Sequence, residues 1–249
     1  MKTLEPDPKP GVEARRVLII GDSNCLARPN GRYRQTWVYY LKQSLVGVDV
    51  ILLAENSRTT EYLVLYPVRR PDGSVEYDPT SLEMYEPNWV IVNLGFVDCS
   101  PRLFSRGENQ ILARLPASAR KAVISACKRL RRPSTSRAYV KPTAFEANVR
   151  QYLERCGSAG VEGVVLIGIL SPNDGYRRKN PGIQRSVEEY NAILARLGRA
   201  YPKVYFIDPL HPEQRESPLY VEDGYHLSAY GHRLLHHCLM KTLDDAGFE

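Results

Sequence analysis

Residues 16–20 read Arg-Val-Leu-Ile-Ile and run into a Gly-Asp-Ser turn, and four more short apolar runs follow at 48–54, 89–94, 164–170 and 204–207. All five are short for a globular helix, rich in β-branched side chains and without polar alternation, so each is expected to be a strand covered on both faces. Helical patterns at 36–45, 144–158, 187–200 and 228–246 alternate with them, the last placing Leu234, Leu235, Cys238, Leu239 and Leu243 at helical spacing. That alternation leaves little choice of architecture: an α/β fold, a three-layer sandwich with a parallel sheet of about five strands. Ligands of such sheets bind beyond the carboxyl ends of the strands. Polar sequences stand there, Gly21-Asp22-Ser23, Asn56-Ser57-Arg58-Thr59, Gly95-Phe96-Val97-Asp98 and Ser171-Pro172-Asn173-Asp174.

One stretch breaks the alternation. Residues 103–142 separate the third strand from its helix and hold a helical pattern at 118–132 followed by a Pro/Ser/Thr linker. At 249 residues the chain suits a single domain, 16–249, preceded by a tail, 1–15, and carrying 103–142 as an insertion or lid. The net charge of +6 is concentrated there: ten Lys or Arg face one acid, Glu108, a local charge of +9 against −3 for everything else. Leu115, Ala119, Val123, Ala126 and Leu130 form a possible apolar stripe beside the basic run Lys128-Arg129-Leu130-Arg131-Arg132. Such a segment suits an anionic group on a substrate, an acidic partner or peripheral membrane contact, and a solvated lid face explains it as well. Specific nucleic-acid binding is not expected, because the segment lacks aromatic interleaving and no finger or helix-turn-helix pattern accompanies it. No leader pattern and no run of ~18 apolar residues is present, so a cytoplasmic location is expected. Cys25, Cys99, Cys127, Cys156 and Cys238 are scattered and never form a CxxC pair, which argues against a disulfide framework and a zinc site. No metal or organic cofactor is called for.

Two strand-end elements carry chemistry. A serine on the Gly21-Asp22-Ser23-Asn24 turn stands above the sheet edge, where its hydroxyl is open to a substrate and its own N–H can face an oxyanion. Cys25 occupies the place of the second glycine in GxSxG, so the alpha/beta-hydrolase elbow is not supported, and a turn serine or helix N-cap explains Ser23 equally well. The second element is Asp223-Gly224-Tyr225-His226, just before the last helix. An acid three residues before a histidine across a tight turn can accept from Nδ1–H and leave Nε2 to take a serine proton. Of the five histidines only His226 has an acid so placed; His211 lies among prolines, and His232, His236 and His237 are expected to be surface or packing residues of the last helix. Cys25 and Cys99 are expected to be small buried side chains rather than nucleophiles.

Together, Gly21-Asp22-Ser23-Asn24 and Asp223-Gly224-Tyr225-His226-Leu227-Ser228-Ala229-Tyr230-Gly231-His232 resemble the first and last blocks of the SGNH (GDSL-type) hydrolases, with Asn56-Ser57-Arg58 and Gly95-Phe96-Val97-Asp98 as looser second and third blocks. The resemblance spans 16–246 apart from the basic segment. It implies a flavodoxin-like SGNH fold and a serine esterase or deacylase acting on an O-acyl group of a carbohydrate or similar small ester through an acyl-enzyme. It also implies that Ser23 is the nucleophile, His226 the base and Asp223 its orienting acid. An acyltransferase with the same triad and a non-catalytic binding protein on the same fold are the alternatives.

Two departures from the family pattern matter. Ser57 stands where the family often has a glycine whose N–H is the second oxyanion donor. Val97 stands where its side-chain donor asparagine belongs, a loss worth ~10²- to 10³-fold in rate unless replaced. Asn56, Asn93, Arg58 and Arg102 are the candidate replacements, Asn56 and Arg58 ahead of the others. Residues 97–102 look like a variant third block found in SGNH-like proteins of bacterial surface-polysaccharide pathways. Gly95, Asp98 and Arg102 are therefore candidate substrate-binding residues, with an Asp98–Arg102 ion pair shaping the loop as the structural alternative.

Overall fold

A computed structural model describes residues 15–28, 31–64, 67–69, 75–77, 82–130, 133–209 and 219–248. The tail 1–14, His211 and the basic pair Arg131 and Arg132 lie outside the described residues.

Five parallel strands form the main sheet: β1 (Arg16–Gly21), β2 (Asp49–Ala54), β5 (Trp89–Asn93), β6 (Gly163–Ile167) and β7 (Val204–Ile207), in the order β2-β1-β5-β6-β7. A separate antiparallel hairpin, β3 (Pro67–Arg69) with β4 (Val75–Tyr77), was not foreseen; its runs of three are too short for a periodicity to register. β1, β5 and β6 are buried almost throughout, which is why their sequences do not alternate.

The two faces of these strands separate by parity. Leu18, Ile20, Val90, Val92, Val164 and Leu166 pack on one side with α5 (Pro142–Ser158) and α7 (Ile183–Ala200). Val17, Ile19, Trp89, Ile91, Val165 and Ile167 pack on the other with α1 (Trp37–Ser44) and α8 (Ala229–Asp245). Helix starts are fixed locally: Thr36 Oγ1 accepts from Tyr39 N–H, Ser228 Oγ from Gly231 N–H, and Pro142 opens α5. Each such cap stabilises its helix by ~1 kcal/mol.

The fourth run ends sooner than expected, at Ile167 rather than residue 170, because Ile169 N–H and C=O turn away to bond the Asn191 carboxamide. The basic segment holds two helices where one was expected. α3 (Arg106–Ala113) begins with a Ser105/Glu108 capping box, and α4 (Ala117–Leu130) follows. The stripe expected on α4 is not covered: no α4 residue is buried, and Leu130 is 86% exposed. The excursion is pinched at its neck, where Arg102 and Ser134 exchange both backbone hydrogen bonds at 3.1 and 2.9 Å. Beyond the neck the chain rejoins the core, with Val140 buried and its carbonyl accepting from Tyr190 Oη at 2.5 Å.

Because β1 lies between β2 and β5, the chain leaves β1 toward one edge and returns to the other side, so the loops after β1 and β5 diverge and open a crevice at their carboxyl ends.

Candidate active site

The turn after β1 is tied to its neighbour before any side chain is considered. Asp22 N–H donates to the carbonyl of Asn93 at the end of β5, and the Asp22 carboxylate accepts from Asn24 N–H at 2.9 Å, closing a 3₁₀ turn over Ser23–Cys25. Burial pushes the Asp22 carboxyl up to about 7 despite the hydrogen bond from Asn24. Ser23 is left 8% exposed, and its N–H has no partner among the described residues.

The loop after β7 delivers the other half. Gly224 adopts φ +84°, and a Cβ there would lie 2.4 Å from the Asn173 carboxamide oxygen, so both conformation and space require glycine. Around that bend Asp223 Oδ1 accepts from the N–H groups of Tyr225 (3.1 Å) and His226 (3.0 Å), while Oδ2 accepts from His226 Nδ1 at 2.6 Å. Nδ1 therefore carries the proton and Nε2 is the acceptor, 2.9 Å from Ser23 Oγ. The structure thus brings Ser23, His226 and Asp223, drawn from opposite ends of the chain, into one hydrogen-bonded series.

The electrostatics favour the neutral imidazole. Burial lowers the His226 pKa, Asp223 opposes this, and the positive charge of Arg28 lowers it further. Burial raises Asp223, but the hydrogen bonds it accepts from His226 and Tyr225 prevail and hold it below the usual carboxylate range. Arg28 was missed by sequence reasoning. Its Nη2 reaches His226 Nε2, the atom that Ser23 also approaches, and its Nη1 donates to Asn56 Oδ1 at 3.1 Å. No local pattern marks an arginine five residues beyond the serine, since its partner lies 198 residues away.

Ser57 has φ +64°, the left-handed conformation a glycine would take without strain, and its N–H has no partner among the described residues. Of the four residues considered as replacements for the missing asparagine, only Asn56 is connected to His226 by a described contact, through Arg28. Arg58 is held by its own loop: Nη1 donates to the Leu53 carbonyl at 2.7 Å, Nη2 pairs with Glu55 and the guanidinium stacks on Tyr62. Asn93 is 7% exposed, and its carbonyl holds Asp22 N–H.

The Asp98–Arg102 ion pair, the structural alternative to substrate binding, does not form. Asp98 is fully buried and accepts from Thr60 N–H (2.9 Å) and Thr60 Oγ1 (2.6 Å), binding the second block to the third. Burial raises its carboxyl to about 6 against those hydrogen bonds. Arg102 turns the other way, donating to the Val97 carbonyl at 3.0 Å and lying over the Tyr139 ring. A short helix, α2 (Phe96–Cys99), starts at Gly95, whose φ of +127° and 2.6 Å clearance from Ile169 exclude any side chain. Val97 on α2 is buried, yet it belongs to neither of the two core clusters.

Other candidates fall into structural roles. His232 is 6% exposed and accepts from Trp37 N–H, and His236 bonds Ser44. Cys25 and Cys99 are buried, and burial raises both thiols, so neither presents a thiolate. Among the described residues no group of three His, Cys, Asp or Glu side chains could hold a metal ion, and no helix is long and apolar enough to cross a membrane.

The fold recurs in solved structures at low identity. A lipase/acylhydrolase from Enterococcus faecalis superposes with a TM-score of 0.60 at 18% identity over 93% of this chain and 96% of that one. TesA gives 0.59 at 17% identity over 93% and 99%. A catalytic mutant of Axe2, an acetylxylan esterase from Geobacillus stearothermophilus, gives 0.55 at 17% over 94% and 95%. No curated protein sequence matches significantly. The sequence profile of the GDSL-like Lipase/Acylhydrolase family matches residues 19–234, a span that reaches from the strand before Ser23 to the helix after His226. The chain belongs to that family of ester-hydrolysing enzymes.

Proposed function

We propose that this protein is a serine esterase that removes an O-acyl group from a carbohydrate or similar small alcohol. The observation that carries this reading is the series Ser23 Oγ to His226 Nε2 (2.9 Å) and His226 Nδ1 to Asp223 Oδ2 (2.6 Å). Ser23 Oγ attacks the ester carbonyl and gives its proton to Nε2; Asp223 holds the imidazole in the accepting tautomer and stabilises the imidazolium that forms. The N–H groups of Ser23 and Ser57, without partners among the described residues, donate to the oxyanion. The imidazolium then protonates the departing alcohol oxygen, and water repeats the sequence on the acyl-enzyme. The carbohydrate part of the proposal is supported by the likeness of fold to the acetylxylan esterase, and the +9 charge of residues 103–142 favours an alcohol bearing negative charge.

A fluorophosphonate probe should label the wild type and not Ser23→Ala, and p-nitrophenyl acetate turnover should fall by ~10³-fold or more in that variant. Absence of labelling together with equal turnover in both proteins would overturn the proposal.

A further inference from the structure

Beside the crevice lies a cavity of about 710 Å³ whose walls come from two separate parts of the chain. The loop after α2 and the excursion supply Arg102 and Lys128; α6 (Asp174–Lys179) and the turn after it supply Tyr176, Arg178, Lys179 and Asn180. Among the described residues that line it four are cations and none is an acid; Lys128, Arg178 and Lys179 are exposed and Arg102 is half-buried. Arg177, on the same helix, spends its charge on Asp174, whereas Arg178, Lys179 and Lys128 form no ion pair among the described residues.

The cavity communicates with the catalytic series through aromatic contacts. Tyr176 lies 5.0 Å from Tyr225, centroid to centroid, and Tyr225 lies 4.0 Å from the His226 ring, with Phe96 stacked on Tyr225 at 4.8 Å. Tyr176, which lines the cavity, is thus two ring contacts from His226. Arg102, which lines the cavity, also holds the carbonyl of Val97 in the third block.

We infer that this cavity binds a phosphoryl group, a phosphomonoester or diphosphate, carried by the alcohol half of the ester substrate. Four cations around a space this size attract an anion of about two charges or more better than a single carboxylate, which leaves most of their charge uncompensated. Arg guanidinium and Lys ammonium groups supply the forked and point-charge donors that phosphoryl oxygens accept. The volume falls within the ~300–1,000 Å³ of small-molecule sites and suits a phosphorylated sugar or a nucleotide. The inference rests on the esterase reading for the identity of the substrate, though not for the binding of the anion.

The two are separated by measuring binding and turnover independently. Inorganic pyrophosphate should raise the melting temperature of the wild type saturably, an equal concentration of sulfate should do so less, and K128A/R178A/K179A should lose most of the pyrophosphate response while melting normally without ligand. An O-acetylated sugar phosphate should be preferred over its unphosphorylated counterpart, and the ratio of their kcat/KM values should fall about tenfold or more in the triple variant. Phosphatidic acid vesicles should not sediment the wild type more than the variant. A pyrophosphate response that is absent, matched by sulfate or retained in the variant overturns the inference, as does binding to vesicles alone. Turnover absent from the wild type and Ser23→Ala alike overturns the esterase reading and leaves the pyrophosphate result to stand or fall by itself.

Discussion

Asp223→Asn tests the tautomer argument more sharply than removal of the side chain does. The carboxamide can sit in two ways. With its oxygen at the Oδ1 position it keeps the hydrogen bonds from Tyr225 and His226 N–H, and its NH₂ group then replaces Oδ2 and faces His226 Nδ1. The flipped arrangement gives up two hydrogen bonds of ~1 kcal/mol each and sets N–H against N–H, so the first arrangement prevails. A donor facing Nδ1 forces the proton onto Nε2, which then points a hydrogen at Ser23 Oγ and at the Arg28 guanidinium instead of accepting from serine. The wrong tautomer in a serine triad costs about 10⁴-fold in kcat, or ~5 kcal/mol at ~1.36 kcal/mol per tenfold. Because the turn keeps both of its backbone hydrogen bonds, the melting temperature should hardly move. The assay is kcat/KM on p-nitrophenyl acetate alongside thermal unfolding. A variant that melts like the wild type and keeps more than a tenth of its activity would refute the claim that Asp223 sets the state of the base.

Three further outcomes follow from the same geometry. Arg28→Met removes a positive charge that lowers the His226 pKa; since the proposed mechanism needs His226 neutral to accept the serine proton, the acidic limb of the kcat/KM profile should move to higher pH, and a profile that stays in place rejects the contact. Val97→Asn should raise kcat, up to the ~10²- to 10³-fold worth of one oxyanion donor, if its carboxamide reaches the oxyanion; an unchanged rate with normal unfolding means the vacancy at residue 97 does not limit turnover. His232 is held down to about 4, chiefly by burial and then by the charge of His226. Between pH 6.5 and 4 the unfolded chain takes a proton that the native protein refuses, so stability is lost as pH falls, by ~3 kcal/mol at most. His232→Asn should flatten the fall in melting temperature between about pH 7 and 4.5, and an equal fall in both proteins would show that His232 contributes nothing.

The buried strands were legible because burial on both faces leaves a continuous apolar run, and Trp89 to Asn93 needs no tertiary knowledge to be read as a strand. Ser228 at the start of α8 was legible for a similar reason, since a cap is a local event. Ser57 could be matched to a glycine position by motif, but its φ of +64° is a property of the folded loop. α3 and α6 escaped notice because one is set by a capping box in a stretch of mixed polarity and the other is six residues begun by Asn173 just after a proline. The partners of Asp98 and Arg28 were beyond reach. Thr60 and His226 come to them only when the sheet closes, 38 and 198 residues away along the chain. The Asp98–Arg102 pairing failed for the complementary reason: proximity in sequence suggested a partner, and a buried hydroxyl and N–H outcompeted it.

The neck at Arg102 and Ser134 fixes how this enzyme can change. Two hydrogen bonds join the ends of the excursion, while buried Phe104 and Leu112 and the Arg106–Glu61 ion pair tie its first half to the body. Doubling such a loop costs only ~0.6 kcal/mol in closure entropy. Length can therefore change cheaply in α4, none of whose residues is buried, while the stretch up to Leu112 stays anchored.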